Sequence, residues 1–180
     1  SGVTRNLDQA ATWFRASADA GNRDAAVQLA GLYETGRGVP RDARQATEWY
    51  RKAALLGDAG AQVKVGMAYE DGTGVGMNPS EAATWYTKAA GQGNAWAQNR
   101  LGWMYGMGHG VSRDDARAMK YFRQAAEQGD AQAQYNLGFM YANGRGVARD
   151  DSLAVSWFRK AAEQGYGNAQ KELERRAIVP

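Results

Sequence analysis

One candidate binding motif of this chain is the glycine-rich stretch "LGFMYANGRGVARDD" (137–151). There, Gly144 and Gly146 enclose Arg145 ahead of a charged run. Glycine-rich turns of this kind can cradle phosphates, because their backbone N–H groups approach an anion closely at the start of a helix. A phosphate loop normally occurs once in a chain, so its recurrence would indicate another role.

The Gly-x-Gly-Val pattern recurs every 36 residues. Its first glycines are Gly36, Gly72, Gly108 and Gly144. Gly2 and Val3 fall in the same register. No lysine partner or strand accompanies the pattern, so we interpret it as a structural turn. Glycine suits such a turn because it adopts the φ > 0 conformations through which a chain leaves a helix.

The single histidine, His109, lies in the middle of the third turn, where other repeats have Arg37, Thr73 and Arg145. We interpret it as an exposed turn residue, because a catalytic histidine needs an orienting partner and a nucleophile. The chain has no cysteine, and no zinc-type ligand spacing is present. We therefore expect no catalytic residue, no metal, no cofactor and no enzyme activity.

The charge distribution argues against nucleic acid as a partner. The net charge is +3, and Lys and Arg alternate with Asp and Glu along the chain. Tracking a phosphate backbone requires clustered positive charge. No apolar run reaches the 18 residues of a membrane span, so we expect no direct membrane insertion in this segment.

The elements that position these residues form a repeat. An aromatic pair recurs every 36 residues, at 13–14, 49–50, 85–86, 121–122 and 157–158. In each repeat the apolar spacing predicts a first helix, the glycine turn, and a second helix that begins at an Asp or Asn N-cap. One such pair of helices cannot bury its apolar face alone, whereas stacked pairs can. We expect the tryptophans of the aromatic pairs to be core residues.

The predicted helices are 7–20, 24–35, 43–56, 60–71, 79–92, 96–107, 115–128, 132–143, 151–164 and 168–176. The predicted N-caps of the second helices are Asn6, Asp42, Asn78, Asp114 and Asp150. The chain is thus expected to be one array. Residues 1–21 are the second helix of a truncated repeat, 22–57, 58–93, 94–129 and 130–165 are full repeats, and 166–180 form a capping helix.

The stretch "AQYNLGFMYANGRGVARDDSLAVSWFRKAAEQG" (133–165) resembles the Sel-one-like repeat (SLR) family, which is related to tetratricopeptide arrays. The resemblance extends from Gly2 to about Gln170. It implies an all-α, right-handed α-solenoid of helix-turn-helix repeats that serves as a protein-protein interaction module or scaffold. Many SLR proteins are bacterial and exported, so it also implies a periplasmic or exported segment of a longer protein.

Two tryptophans depart from the repeat. Trp96 and Trp103 occupy positions where other repeats have residues such as Asp24, Gly60 and Gly31. They are seven residues apart and so share one helix face, which by resemblance to tetratricopeptide arrays lines a concave groove. Tyr135 and Phe139 are expected opposite them. The predicted partner-binding residues are Trp96, Asn99, Arg100, Trp103, Met107, Gln132, Tyr135, Asn136, Phe139, Asn143, Lys64 and Met67.

A mixed aromatic and amide surface suits a protein or peptide segment, whose apolar side chains fill pockets while amides bind its backbone. Two alternatives stay open. Aromatic rings with Asn and Arg also suit a glycan, and one disulfide-bridged SLR branch is linked to cell-wall components and β-lactam hydrolysis. The cysteines of that branch are absent here, which makes a hydrolase the more distant alternative. The aromatic rings could instead pack on one another and stiffen the array.

Overall fold

The computed structural model describes residues 2–178, and side chains from 7 to 176. Within that range the chain forms ten helices and no strand. The helices are α1 Gly2–Asp19, α2 Arg23–Thr35, α3 Ala43–Leu55, α4 Ala59–Asp71, α5 Pro79–Gly91, α6 Ala95–Met107, α7 Asp115–Glu127, α8 Ala131–Asn143, α9 Asp151–Glu163 and α10 Gly167–Ile178. The all-α helix-turn-helix prediction is confirmed.

Side-chain caps explain where the helices begin. At α5 the Asn78 side chain accepts the backbone N–H of Glu81, and Pro79 occupies the first turn. The predicted caps Asp42, Asp114 and Asp150 act in the same way. Sequence reasoning missed a second set of N-caps, which begin the first helix of each full repeat. These are Asn22, Asp58, Asn94 and Asp130.

The predicted start of the first helix was wrong. α1 begins at Gly2, so Asn6 lies inside the helix and Gly2 and Val3 form no turn. In the next repeat, Gly38 rests directly on the backbone of Leu7.

The chain divides into two compact units, residues 1–92 and 93–180, here called the first and second unit. In the first unit, α2 packs on α1 and α3, and α4 packs on α3 and α5. Leu29 and Val65 are fully buried there. In the second unit α6 to α10 pack in the same serial order, around buried Leu101, Leu137 and Phe158.

Glycines in the first helices let aromatic rings approach the backbone. A Cβ at Gly66 would lie 2.4 Å from the ring of Tyr86, and one at Gly138 would lie 2.8 Å from that of Phe158. Real Cβ atoms do not approach other heavy atoms so closely, so these positions tolerate no side chain. The two helices of each of these repeats therefore pack closely at the glycine.

The Gly-x-Gly turns are structural, as predicted. Their first glycines end the first helices in the left-handed conformation, with φ between 64° and 75°. Among the second glycines, a Cβ at Gly74 would lie 2.3 Å from the carbonyl oxygen of Ala43. One at Gly146 would lie 2.3 Å from that of Asp115. Each of these turns therefore rests on the second helix of the preceding repeat.

The tryptophans of the aromatic pairs do not share one environment. Trp49 and Trp85 are 6% exposed, but Trp13 is 76% exposed, and Trp157 is only partly buried. The core prediction was therefore wrong for Trp13. Repeat register alone therefore does not set how deeply each of these rings is buried.

Candidate functional site

The second unit contains a pocket of about 140 Å³ between α6, α7, α8 and the turn after α8. We call it the aromatic pocket. Its lining residues are Trp103, Gly106, Met107, Phe122, Asn136, Phe139, Met140 and Arg145. The structure thus brings together four of the predicted site residues, Trp103, Met107, Asn136 and Phe139.

The pocket has a buried floor and an exposed rim. Phe122 and Met140 are 5% and 2% exposed, whereas Met107 and Phe139 are 63% and 40% exposed. Trp103 is partly buried against the core. Exposed apolar groups around a buried apolar floor are typical of a surface that binds a partner. Exposed fractions this large also show that mutual packing does not bury the rim side chains.

Arg145, the central residue of the fourth glycine turn, forms one wall. Its guanidinium donates to Asp115 at 2.7 Å and to the carbonyl oxygen of Gly106 at 2.9 Å. Hydrogen bonds from Arg145 and Arg113 lower the pKa of the Asp115 carboxyl from its usual 3.8 to about 2. The arginine of this turn therefore ties two repeats of the second unit together.

Three predicted amides bind one another. Asn136 donates to the side-chain oxygen of Asn99 at 3.0 Å, and Asn99 donates to that of Gln132 at 3.1 Å. Asn99 is only 6% exposed. Its prediction as a partner-facing residue was wrong, because the amides of α8 cover it. Asn136 still lines the aromatic pocket.

Two polar groups flank the Trp103 ring. The guanidinium carbon of Arg100 lies 4.4 Å from the ring centroid, within the range of a cation–π contact. The centroid of the His109 ring lies 5.3 Å from that of Trp103. His109 is therefore partly buried, and its prediction as an exposed turn residue was wrong.

The remaining predicted residues of the second unit lie apart from the pocket lining. Trp96 is 41% exposed near the start of α6. Tyr135 contacts the rings of Phe158 in α9 and of Tyr166 just before α10, and burial raises the pKa of its hydroxyl. Asn143 donates to the carbonyl oxygen of Phe139 on its own helix.

The last two predicted residues, Lys64 and Met67, line a pocket of about 180 Å³ in the first unit. We call it the charged pocket. Glu34 accepts from Lys64 at 2.8 Å and from the Tyr50 hydroxyl at 2.7 Å. Burial alone would raise the pKa of Glu34, but these hydrogen bonds outweigh it and hold that pKa below its usual value.

The two pockets occupy equivalent positions, 72 residues apart. In the order first unit to second, the pairs are Glu34 and Gly106, Tyr50 and Phe122, Lys64 and Asn136, Met67 and Phe139, Ala68 and Met140, and Thr73 and Arg145. Sequence reasoning missed Gly106, Phe122, Met140 and Arg145. A comparison of equivalent repeat positions could have found two of them. Gly106 lies where earlier repeats have Glu34 and Glu70, and Phe122 lies where they have Tyr50 and Tyr86.

The part of the chain that the structure describes holds no cluster of His, Cys, Asp and Glu side chains that could bind a metal ion. Among the same residues, no helix combines the length and apolar character of a membrane span.

Comparison with known proteins agrees with this architecture. The model of the Sel1 repeat, the SLR of the sequence resemblance, matches residues 1–22, 23–58, 59–94, 97–130 and 131–166. The chain belongs to the Sel1 repeat family. Solved Sel1 repeat proteins share its fold, and no curated protein matches it in sequence.

One similar structure is c5321, a protective antigen present in uropathogenic Escherichia coli strains. It is 39% identical with a TM-score of 0.88, over 92% of this chain and 36% of that one. A Sel1 repeat protein from Oxalobacter formigenes is 36% identical, with a TM-score of 0.80 over 92% and 66% of the two chains. The immunity protein PA5088 from Pseudomonas aeruginosa is 29% identical with a TM-score of 0.51, over 88% and 58%. The present chain thus spans about a third of the length of c5321.

Proposed function

We propose that this Sel1 repeat chain binds a segment of another protein and that the aromatic pocket of the second unit is the binding site. The carrying observation is the set of apolar side chains around the pocket, with Trp103, Met107 and Phe139 at the rim. Buried aromatic anchors contribute most of the affinity of such interfaces, while surrounding contacts mainly exclude water. Sel1 repeats are typically scaffolds for protein-protein interaction, which agrees with this site.

The polar groups near the pocket favour a protein segment over a glycan. Sugar recognition depends on several amides and charged groups that converge on the hydroxyls. Here the side chains of Asn99, Gln132 and Asn136 hydrogen-bond one another, and Arg145 is held by Asp115. The groups that stay exposed are mostly apolar, so they suit an apolar side chain of a partner.

The similar structures also favour a protein partner. PA5088 and Pa5087 are immunity proteins, at 29% and 26% identity, and c5321 is a protective antigen. We take these similarities as support for a protein-binding role of this chain.

The test is a selection of random nine-residue peptides on the intact chain, with affinities measured by fluorescence anisotropy. Recovered peptides should bind Trp103→Ala about 30-fold more weakly, the factor that corresponds to a lost anchor of roughly 2 kcal/mol. Trp13→Ala is the matched control, because Trp13 is 76% exposed and lies in the first unit. A glycan array run in parallel tests the alternative.

Peptides that bind both variants as well as the unmodified chain would show that the site lies elsewhere. Glycans that bind in a Trp103-dependent manner, with no peptide recovered, would replace the proposal with a glycan-binding one.

A further inference from the structure

We infer that the aromatic pocket selects a phenylalanine side chain flanked by acidic residues. This inference rests on the proposed function and specifies its ligand. Four features of the second unit lead to it: the size of the pocket, the chemistry of its lining, the missing side chain at Gly106, and the distribution of charge.

The size suits one benzene ring. The pocket measures about 140 Å³, and an enclosed apolar cavity of about 150 Å³ holds benzene in a protein interior. A methyl or hydroxymethyl group would leave most of this volume empty. A phenyl ring therefore fills the pocket, whereas the smallest side chains do not.

The lining favours an aromatic ring over an aliphatic group of similar size. Trp103, Phe122 and Phe139 offer ring faces and edges, and aromatic pairs gain energy beyond the area they bury. Met107 and Met140 contribute thioether sulfurs, which also contact rings favourably and adapt to their shape. A leucine side chain would bury apolar area here without these added contacts.

Gly106 keeps the pocket open. The equivalent positions in the earlier repeats hold Glu34 and Glu70, and Glu34 lies in the charged pocket, paired with Lys64. A Cβ at Gly106 would have ordinary contacts, 3.6 Å from the Ala118 Cβ and 3.9 Å from the Arg145 guanidinium. The position therefore accepts a side chain, but any long one would enter the space that the ligand ring needs.

Charge complementarity accounts for the acidic flanks. Residues 93–180 contain 12 Lys and Arg against nine Asp and Glu, so the whole net charge of +3 lies in the second unit. The two first helices of this unit that line the pocket, α6 and α8, contain Arg100 and no acidic residue. Acidic groups beside the anchor would be attracted by this surface at moderate salt, whereas basic groups would be repelled.

The experiment uses the intact chain and labelled nine-residue peptides with one central residue and glutamate-rich flanks. The central residue is Phe, cyclohexylalanine, Leu, Ala or Lys. We expect the Phe peptide to bind at least about tenfold more tightly than the Ala peptide, followed by cyclohexylalanine and Leu. Lysine-rich flanks should weaken binding by about tenfold at low salt, and 0.5 M salt should reduce that difference.

Two variants at one position separate the pocket from the fold. Gly106→Ala should keep binding within about twofold and slightly raise the melting temperature, since alanine is the better helix residue. Gly106→Glu should fold equally well but weaken the Phe peptide at least about tenfold, because its side chain occupies the pocket.

Equal binding of the Phe and Ala peptides, or equal binding of the Phe peptide to Gly106→Glu and Gly106→Ala, would overturn the inference. The random-peptide selection distinguishes the two levels of failure. Selected peptides that depend on Trp103 but lack Phe with acidic flanks would refute this specificity and leave the binding site standing. Selected peptides that ignore Trp103 would refute both.

Discussion

The pocket of the first unit and the pocket of the second unit are built at equivalent positions, yet their chemistry is opposite. The charged pocket contains the hydrogen-bonded set Glu34, Tyr50 and Lys64. At the equivalent positions the aromatic pocket has Gly106, Phe122 and Asn136. The three residues of the charged pocket hydrogen-bond one another, whereas those of the aromatic pocket leave an apolar space that a ligand can fill.

The difference shows which repeat positions are constrained. Glycines that contact aromatic rings are the same in both units, since Gly66 and Gly138 lie against Tyr86 and Phe158. The pocket-lining positions differ freely, because they face solvent at one end and a neighbouring repeat at the other. Function in a repeat array can therefore change at the lining without any change in the packing beneath it.

The largest expected effect tests the shared scaffold. Gly74→Val and Gly146→Val should each destabilise the chain by about 3 kcal/mol or more, because a β-branched residue resists φ > 0 and has no room beside a carbonyl oxygen. Thermal denaturation of the two variants should give similar losses. A Gly146→Val variant with unchanged stability and lost peptide binding would show that this turn is a site.

The next effect tests the difference between the pockets. Phe139→Ala should weaken a Trp103-dependent peptide by roughly 10- to 30-fold, as expected for a rim anchor of about 1.4–2 kcal/mol. Its equivalent Met67→Ala in the charged pocket should change binding less than about twofold. Anisotropy titrations measure the peptide affinity of both variants. A larger loss of affinity for Met67→Ala than for Phe139→Ala would place the binding site in the first unit.

The third prediction concerns acid stability in the second unit. The pKa of Asp115 is lowered to about 2, so its stabilising contribution is complete above about pH 4 and is lost as the pH falls through 2. Asp115→Asn should cost about 1–2 kcal/mol at pH 7, after allowance for solvent screening of a partly exposed carboxylate. Its stability should change less between pH 4 and pH 2 than that of the unmodified chain.

Urea denaturation at several pH values measures this difference. The equivalent residue of the first unit is Ala43, so Ala43→Asn serves as a control with no carboxylate to lose. An identical pH dependence for Asp115→Asn and the unmodified chain would contradict the role of the Arg145–Asp115 pair.

The smallest effect tests whether the pockets are interchangeable. Tyr50→Phe removes the hydroxyl bound to Glu34 and should cost about 1 kcal/mol. In the second unit, Phe122→Tyr combined with Gly106→Glu recreates that pair and should show a favourable coupling of about 0.5–1 kcal/mol in a double-mutant cycle. If the changes in the free energy of unfolding simply add, the two new side chains do not form a hydrogen bond like that of Glu34 and Tyr50 in the first unit.

The helices and turns could be predicted from the sequence because their signals are local. The spacing of apolar residues placed α2 to α9 to within one residue at each end. The predicted caps such as Asn78 and the positive-φ glycines such as Gly144 were found where expected. The start of α1 was missed, because the repeat register assigned Gly2 and Val3 to a turn, whereas the helix begins at Gly2.

The candidate site was predicted only in part. Trp103 was singled out because it breaks the repeat pattern, and Phe139 because it was expected to lie opposite Trp103; both line the aromatic pocket. Asn99 also shares that face, yet it is buried, since its exposure depends on the amides of α8. Arg145 was interpreted only as part of a structural turn, although its guanidinium donates to the carbonyl oxygen of Gly106, 39 residues earlier in the chain.

The repeat, its helices, its turns and the family can all be read from the amino-acid sequence, because each depends on residues that are close along the chain and recur at a fixed period. Which polar groups bind each other, and which apolar groups stay exposed, depends on how the folded chain packs. Trp13 and Trp85 occupy the same repeat position, but one is 76% and the other 6% exposed. A periodic pattern assigns both rings the same position, whereas the exposure of each ring depends on the packing around it.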